Sequence, residues 1–317
     1  MSEAAQPSQS DLGRSWTLGV AAAGATGVAL ALMVVRIGVG ETAASRAYVE
    51  QPEFAVFGGL VLLQIPVWAV LGVVSARWAA EIRALPPTDD TPLWQVLLAW
   101  IGAAVVVGFL LWAQGTAMAV DYERQYPDGQ PARIVVMASV VAFAAAVPAV
   151  ALWELSRAAA AIRPSADDAV ERFAQLWSRQ RDFLGALGLM LALVMLSTAA
   201  KFAANNSFTP PDSPEPPDVP ASFILVIGAL YGAILLAAYL PPYYRTRRVG
   251  ERLAKALTGP PADRSSEALL ATHEERQRLR VAMGLDEGTR QHLERGAILL
   301  APLLTALITT LVPGVQG

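Results

Sequence analysis

The sequence predicts an all-α, polytopic integral membrane protein of about seven transmembrane helices, with a small helical cytoplasmic cap. Three observations carry that class. The 317-residue chain is 54% hydrophobic and only 16% charged, whereas a soluble domain carries about 25% charged residues. Asp, Glu, Lys and Arg are absent from seven intervals of at least 18 residues: 15–35, 54–76, 91–120, 134–153, 183–200, 219–244 and 296–317. A hydrocarbon core takes roughly 20 apolar residues per helix, so each interval is a candidate span. The basic residues then divide by side. With the N-terminus cytoplasmic, 19 of the 24 Lys and Arg fall in Arg14 and in segments 77–93, 157–182 and 245–295. Such a bias sets orientation, and it places the C-terminus outside. A soluble enzyme, a disordered tail and, with a net charge of −3, a nucleic-acid binder are excluded.

Residues 1–15 form a short cytoplasmic tail. Glu3, Asp11 and Arg14 give it no positive leader, and the apolar run that follows exceeds the length of a signal core. The first span is therefore expected to be permanent. Six spans occupy 16–243, joined outside by loops 37–53, 115–133 and 205–220. Trp16, Trp94, Trp112, Trp153, Tyr243 and Tyr244 stand near span ends, where amphipathic rings favour the headgroup level. Trp68 lies deeper and reads as a packing residue. Arg36 and Lys201 are shallow enough to reach the outer headgroups.

These six spans read as three degenerate hairpins, with the seventh unpaired. The second span runs on as Arg77-Trp-Ala-Ala-Glu-Ile82-Arg83 and the fourth as Arg157-Ala-Ala-Ala-Ala-Ile162-Arg163, each followed by a proline and a pair of acids. Each returning span also carries proline, at Pro66, Pro148 and Pro241-Pro242.

Between the fourth and fifth spans, Ser165-Ala-Asp-Asp168 has the spacing of a capping box. Val170, Phe173, Leu176 and Trp177 follow at helical spacing. Glu154 and Arg157, three apart, are expected to pair on the helix surface. Segment 244–295 is the basic helical loop. Arg245, Arg247, Arg248, Arg252 and Lys255 begin it, with Val249, Leu253 and Leu257 on the opposing face. A second helix is expected from Ser266 to Met283, with Gly284 as its C′ residue. The seventh span is 296–313.

Functional groups are few. No carboxylate lies mid-span, and burying one there is tolerated only for function. Gln64 beside Pro66, Gln114, Thr305 and Thr309 are the candidate lining of a polar path. Gly228 and Gly232 form a G-x-x-x-G suited to close helix contact, within the chain or in a homo-oligomer. With no cysteine there is no thiol chemistry, and His273 and His292 read as solvated surface. No catalytic, cofactor or metal residues are assigned. Asn205-Asn206-Ser207 matches a glycosylation sequon.

Two functions are expected on these grounds. The first is a non-enzymatic multi-pass protein of the bacterial inner membrane, whose basic cytoplasmic face binds a partner or anionic lipid. The second is a transporter or channel for a small solute or cation, motivated by the hairpins and the acidic outer loops.

Overall fold

The computed structural model describes residues 9–37, 43–83, 130–208, 221–261 and 265–286, with 297, 298, 300, 301, 304 and 305. Among these residues the regular structure is entirely helical, with no strand. Its elements are α1 (Gln9–Arg36), α2 (Ala43–Val49), α3 (Pro52–Arg83), α4 (Gln130–Ala160), α5 (Ala169–Asn206), α6 (Ala221–Thr258) and α7 (Ser266–Ala282). Within α1, α3, α5 and α6 lie stretches long and apolar enough to cross a membrane: Trp16–Arg36, Pro52–Ile82, Ala169–Asn206 and Ile224–Thr258. On that ground the protein is membrane-embedded. The third predicted span, 91–120, lies outside the described residues. So does most of the seventh, whose six described positions are helical.

Small residues set how the helices meet. α1 and α3 form an antiparallel hairpin, with α2 in the connection. At one end the Arg77 guanidinium lies 4.4 Å from the centre of the Trp16 ring. Midway, a Cβ placed on Gly27 would stand 2.6 Å from Pro66 Cα and 3.2 Å from the Ile65 carbonyl oxygen. Only glycine lets the two backbones approach this closely. α3 and α4 run parallel. Trp68 shares an apolar groove with Val136 and Val140, Gly72 faces Ala144, and Ala79 clusters with Ala151 and Leu152.

α5 is antiparallel to α3 along almost all of its length. The register is pinned by Ser207 donating to Gln51 at 2.9 Å, the Trp78–Phe183 edge contact at 5.6 Å and the Arg179–Glu81 ion pair at 3.2 Å. Both α5 and α6 have 38 residues, about 57 Å at 1.5 Å per residue. A hydrocarbon core is about 30 Å thick, so each helix overshoots it by roughly 25 Å. The overshoot is at the α7 end. There, Phe173 and Trp177 of α5 stack at 6.1 Å, and Trp177 meets Tyr243 of α6 at 5.4 Å. Around this aromatic stack gather Leu155, Leu253, Met283 and Leu285, the larger of the two main cores. The other lies at the α2 end, around Tyr48, Phe54, Phe57 and Phe208.

The ends of the helices partly revise the sequence reading. α5 starts at Asp168, which makes no side-chain cap bond and instead ion-pairs with Arg172 one turn on. The expected Ser165 capping box is not used. Nothing between Trp177 and Phe183 breaks a helix, so the expected loop helix and the fifth span are one rod. α7 is capped by Ser265, one residue before the expected Ser266, its hydroxyl accepting from the Ala268 amide at 3.2 Å. Gly284 takes φ +73°, the left-handed C′ conformation foreseen for it. Beyond it the chain returns along α5, where Ile298 Cγ2 stands 2.5 Å from where a Gly188 Cβ would lie.

Candidate functional site

Two arrangements of polar side chains stand out, one on the surface and one inside the bundle. The surface site is on the overshooting half of α6. Arg245, Arg248, Arg252 and Lys255 are exposed and recur at spacings of three, four and three. At 3.6 residues per turn this is one helix face, running about 15 Å along the axis. None of these four makes an ion pair among the described residues. The fifth expected member does not belong with them: Arg247 is half-buried, pairs with Glu251 at 3.4 Å and reaches the Tyr243 hydroxyl at 3.4 Å.

The opposing face of this half-helix is spent on the core. Thr246, Gly250, Leu253 and Ala254 are buried, and Val249 and Leu257 pack against the same cluster. Some other cations at this end are paired. Glu81 accepts from Arg77 at 3.0 Å and from Arg179 at 3.2 Å, and Arg179 also pairs with Asp182.

Inside the bundle, Gln64, Trp68 and Ser75 share one face of α3. Gln64 and Ser75 are wholly buried, and Trp68 is 1% exposed. The Gln64 amide oxygen and nitrogen, Trp68 Nε1 and Ser75 Oγ have no hydrogen-bond partner among the described residues. Nearer the α7 end the same holds for the Gln180 amide of α5, with the side chain 1% exposed, and for Arg157 Nε of α4. The Glu154–Arg157 pair expected from sequence is accordingly not made through Nε. An amide or hydroxyl stripped of water and left unbonded costs about 2–7 kcal/mol.

At the α2 end polar groups are buried but satisfied. The Tyr48 hydroxyl donates to Asn205 Oδ1 at 2.8 Å, with both residues fully buried. This removes the sequon reading, because the acceptor asparagine of Asn205-Asn206-Ser207 is inside the fold. Lys201 is also inside, 8% exposed beside Phe202, rather than extended toward headgroups.

Of the other expected residues, Thr305 is half-buried, while Gln114, Thr309 and His292 lie outside the described residues. His273 is exposed as expected. A Cβ on Gly232 would meet nothing within 4 Å, so this glycine serves no close approach among the described residues. Among them, too, no three of His, Asp and Glu are grouped to hold a metal ion. Sequence reasoning missed Ser75 and Gln180 because both lie at the margins of charge-free intervals, where water is expected. Their signal was spacing: Ser75 falls eleven residues, about three turns, beyond Gln64. Compared with protein-family models, curated proteins and solved structures, the chain matches none of them.

Proposed function

We propose that this is a non-enzymatic multi-pass protein, of the inner membrane if the source is bacterial, whose basic end faces the cytoplasm and docks an acidic protein partner. The observation that carries the reading is the row of four exposed cations on α6, none of them ion-paired among the described residues. The orientation is inferred from the distribution of Lys and Arg in the sequence.

Two points favour a protein over a lipid surface. A basic amphipathic helix lies on a membrane by inserting its apolar face, and here that face is already packed against α5 and the residues after α7. The row also extends about 15 Å along an unbroken helix, roughly two Debye lengths at physiological salt. On a helix that continues its span straight out of the bilayer, the far members Arg252 and Lys255 would stand beyond one flat sheet of headgroups. An acidic helix or extended acidic segment lying alongside α6 meets all four.

The test uses the full chain in nanodiscs of zwitterionic lipid, with a fluorescent 20-residue glutamate peptide as the probe. Four exposed ion pairs at about 0.5–1 kcal/mol each amount to a factor of about 30 or more. Replacing all four cations by Gln is expected to weaken binding by that factor and to flatten its salt dependence. Equal affinity in the variant overturns the reading, as does a wild-type protein that does not bind the peptide. A transporter or channel for a small solute is the second reading, favoured by the buried, unbonded Gln64 amide.

A further inference from the structure

We propose that the α3 face bearing Gln64, Trp68 and Ser75 is a hydrated half-channel, which water enters from the α7 end and which stops at Gln64. The first ground is the polar groups themselves. Four side chains, each at least nine-tenths buried, turn unbonded donors or acceptors into the bundle: Gln64, Trp68, Ser75 and Gln180. Buried polar groups are satisfied by protein or by ordered water, and the described residues supply no partner. A water bound at the Gln64 amide can donate to its oxygen and accept from its nitrogen.

The second ground is alignment. From Gln64 to Trp68 the helix rises about 6 Å, and from Trp68 to Ser75 about 10 Å. The Arg179–Glu81 contact sets Gln180 at the height of the end of α3, about 9 Å beyond Ser75 at the same rise. Arg157 Nε, also unbonded, lies at the α7 end of α4. The polar groups therefore descend in one direction, from mid-bundle to the basic end.

In the other direction the same face of α3 continues as Val61, Phe57 and Phe54, all buried. Tyr48 closes against Phe54 and against Phe208, with ring centres 5.3 Å apart in each case. This aromatic plug seals the α2 end, while toward the α7 end the same face beyond Ser75 continues as Ala79 and Ile82. Among the described residues no charged side chain stands on the row between Gln64 and Gln180. That suits water or a neutral hydrogen-bonding molecule and gives an ion no counter-charge. Trp68 also lines the groove between α3 and α4, whose other lining residues are apolar apart from Ser139.

The inference does not rest on the docking reading, and loss of glutamate-peptide binding would leave it intact. Its test exploits a chain with no native cysteine. Single variants Gln64→Cys, Ser75→Cys, Phe57→Cys and Leu63→Cys are placed in nanodiscs and treated with a hydrophilic methanethiosulfonate reagent. Leu63 is 54% exposed on the outside of the bundle, where it faces lipid. Thiols react as thiolates, and desolvation raises a thiol pKa by several units. Cysteines at 64 and 75 are therefore expected to react about 100-fold or more faster than at 63, with the cysteine at 57 as slow as at 63. Ser75→Cys is nearly isosteric and keeps the test valid if Gln64→Cys does not fold. Reaction at both 64 and 75 no faster than at 63 overturns the proposal. Reaction at 57 as fast as at 64 also overturns it, because the α2 end would then be open.

Discussion

Gly27→Ala is expected to destabilise the protein, although alanine is the better helix former. Replacing glycine by alanine inside a helix gains about 1 kcal/mol from propensity. At Gly27 the new methyl would stand 2.6 Å from Pro66 Cα and 3.0 Å from Pro66 N. These are backbone atoms in the middle of a packed helix, so relief requires α1 and α3 to separate. Overpacking of this kind costs about 1–3 kcal/mol, and separating the pair also loosens Ala31, Val34, Val61 and Ile65, which are buried between them.

The same helix provides the controls. A Cβ on Gly24 would meet Val70 at 3.8 Å, an ordinary contact, and one on Gly19 would meet nothing within 4 Å. Gly19→Ala and Gly24→Ala should therefore keep the propensity gain and melt at or above the wild-type temperature. Gly27→Ala should melt below it. Thermal unfolding of the three variants in one detergent checks the ordering, and equal melting temperatures for Gly24→Ala and Gly27→Ala would refute the close α1–α3 approach.

The second large effect is expected at the other end. Gly250 lies under Phe173, whose ring edge a Cβ would overlap, and 2.8 Å from Leu285 Cδ1. Phe173 has no exposed surface and is stacked on Trp177, so it has nowhere to move. Gly250→Val should push Leu285 and the α7 segment away while leaving the α1–α3 hairpin intact. Opening by about 1–3 kcal/mol corresponds to roughly 5–150-fold faster amide exchange in a locally unfolding unit. The increase should be confined to residues around 266–285. Gly232→Val is the control on the same helix, because its side chain would meet nothing within 4 Å. Uniformly faster exchange in Gly250→Val, spans included, would mean that the cap is not a separate unit.

Charge placement made much of this architecture legible in advance. The interval 54–76 falls within α3, and 219–244 covers the membrane part of α6, because hydrocarbon excludes charge over the thickness of a bilayer. The helical spacing of Phe173 and Trp177 and the opposition of Leu253 to the arginines were also readable, since both follow the 3.6-residue period. What the period does not contain is where a helix stops. The charges between Glu171 and Asp182 read as a short helix ahead of the fifth span, yet that helix and the span are one uninterrupted helix, with Arg179 clamped to Glu81.

Long-range contacts were the least legible. Residues 37–53 read as a plain loop, but α2 forms within it because Tyr48 finds Asn205, 157 positions away. The α6 cations were visible as a cluster but not as a row of four with Arg247 excluded, because that division depends on Glu251 and Tyr243 holding one guanidinium. Gln64 was singled out as a mid-span polar group that lines a path or bonds a neighbouring helix; it is buried with no bond to a described residue. Its continuation through Ser75 and Gln180 required the register of α3 against α5.

The central claim is that α6 carries its cations away from the bilayer as an upright, partner-facing row. Spin labels on Arg252→Cys and Lys255→Cys, in the otherwise cysteine-free chain, report this directly through their collision rates with a water-soluble nickel complex and with oxygen. Both labels should be fully water-exposed in zwitterionic bilayers and remain so when anionic lipid is added. Immersion of either label at headgroup depth, or its descent on adding anionic lipid, would contradict the claim and make the row a membrane contact.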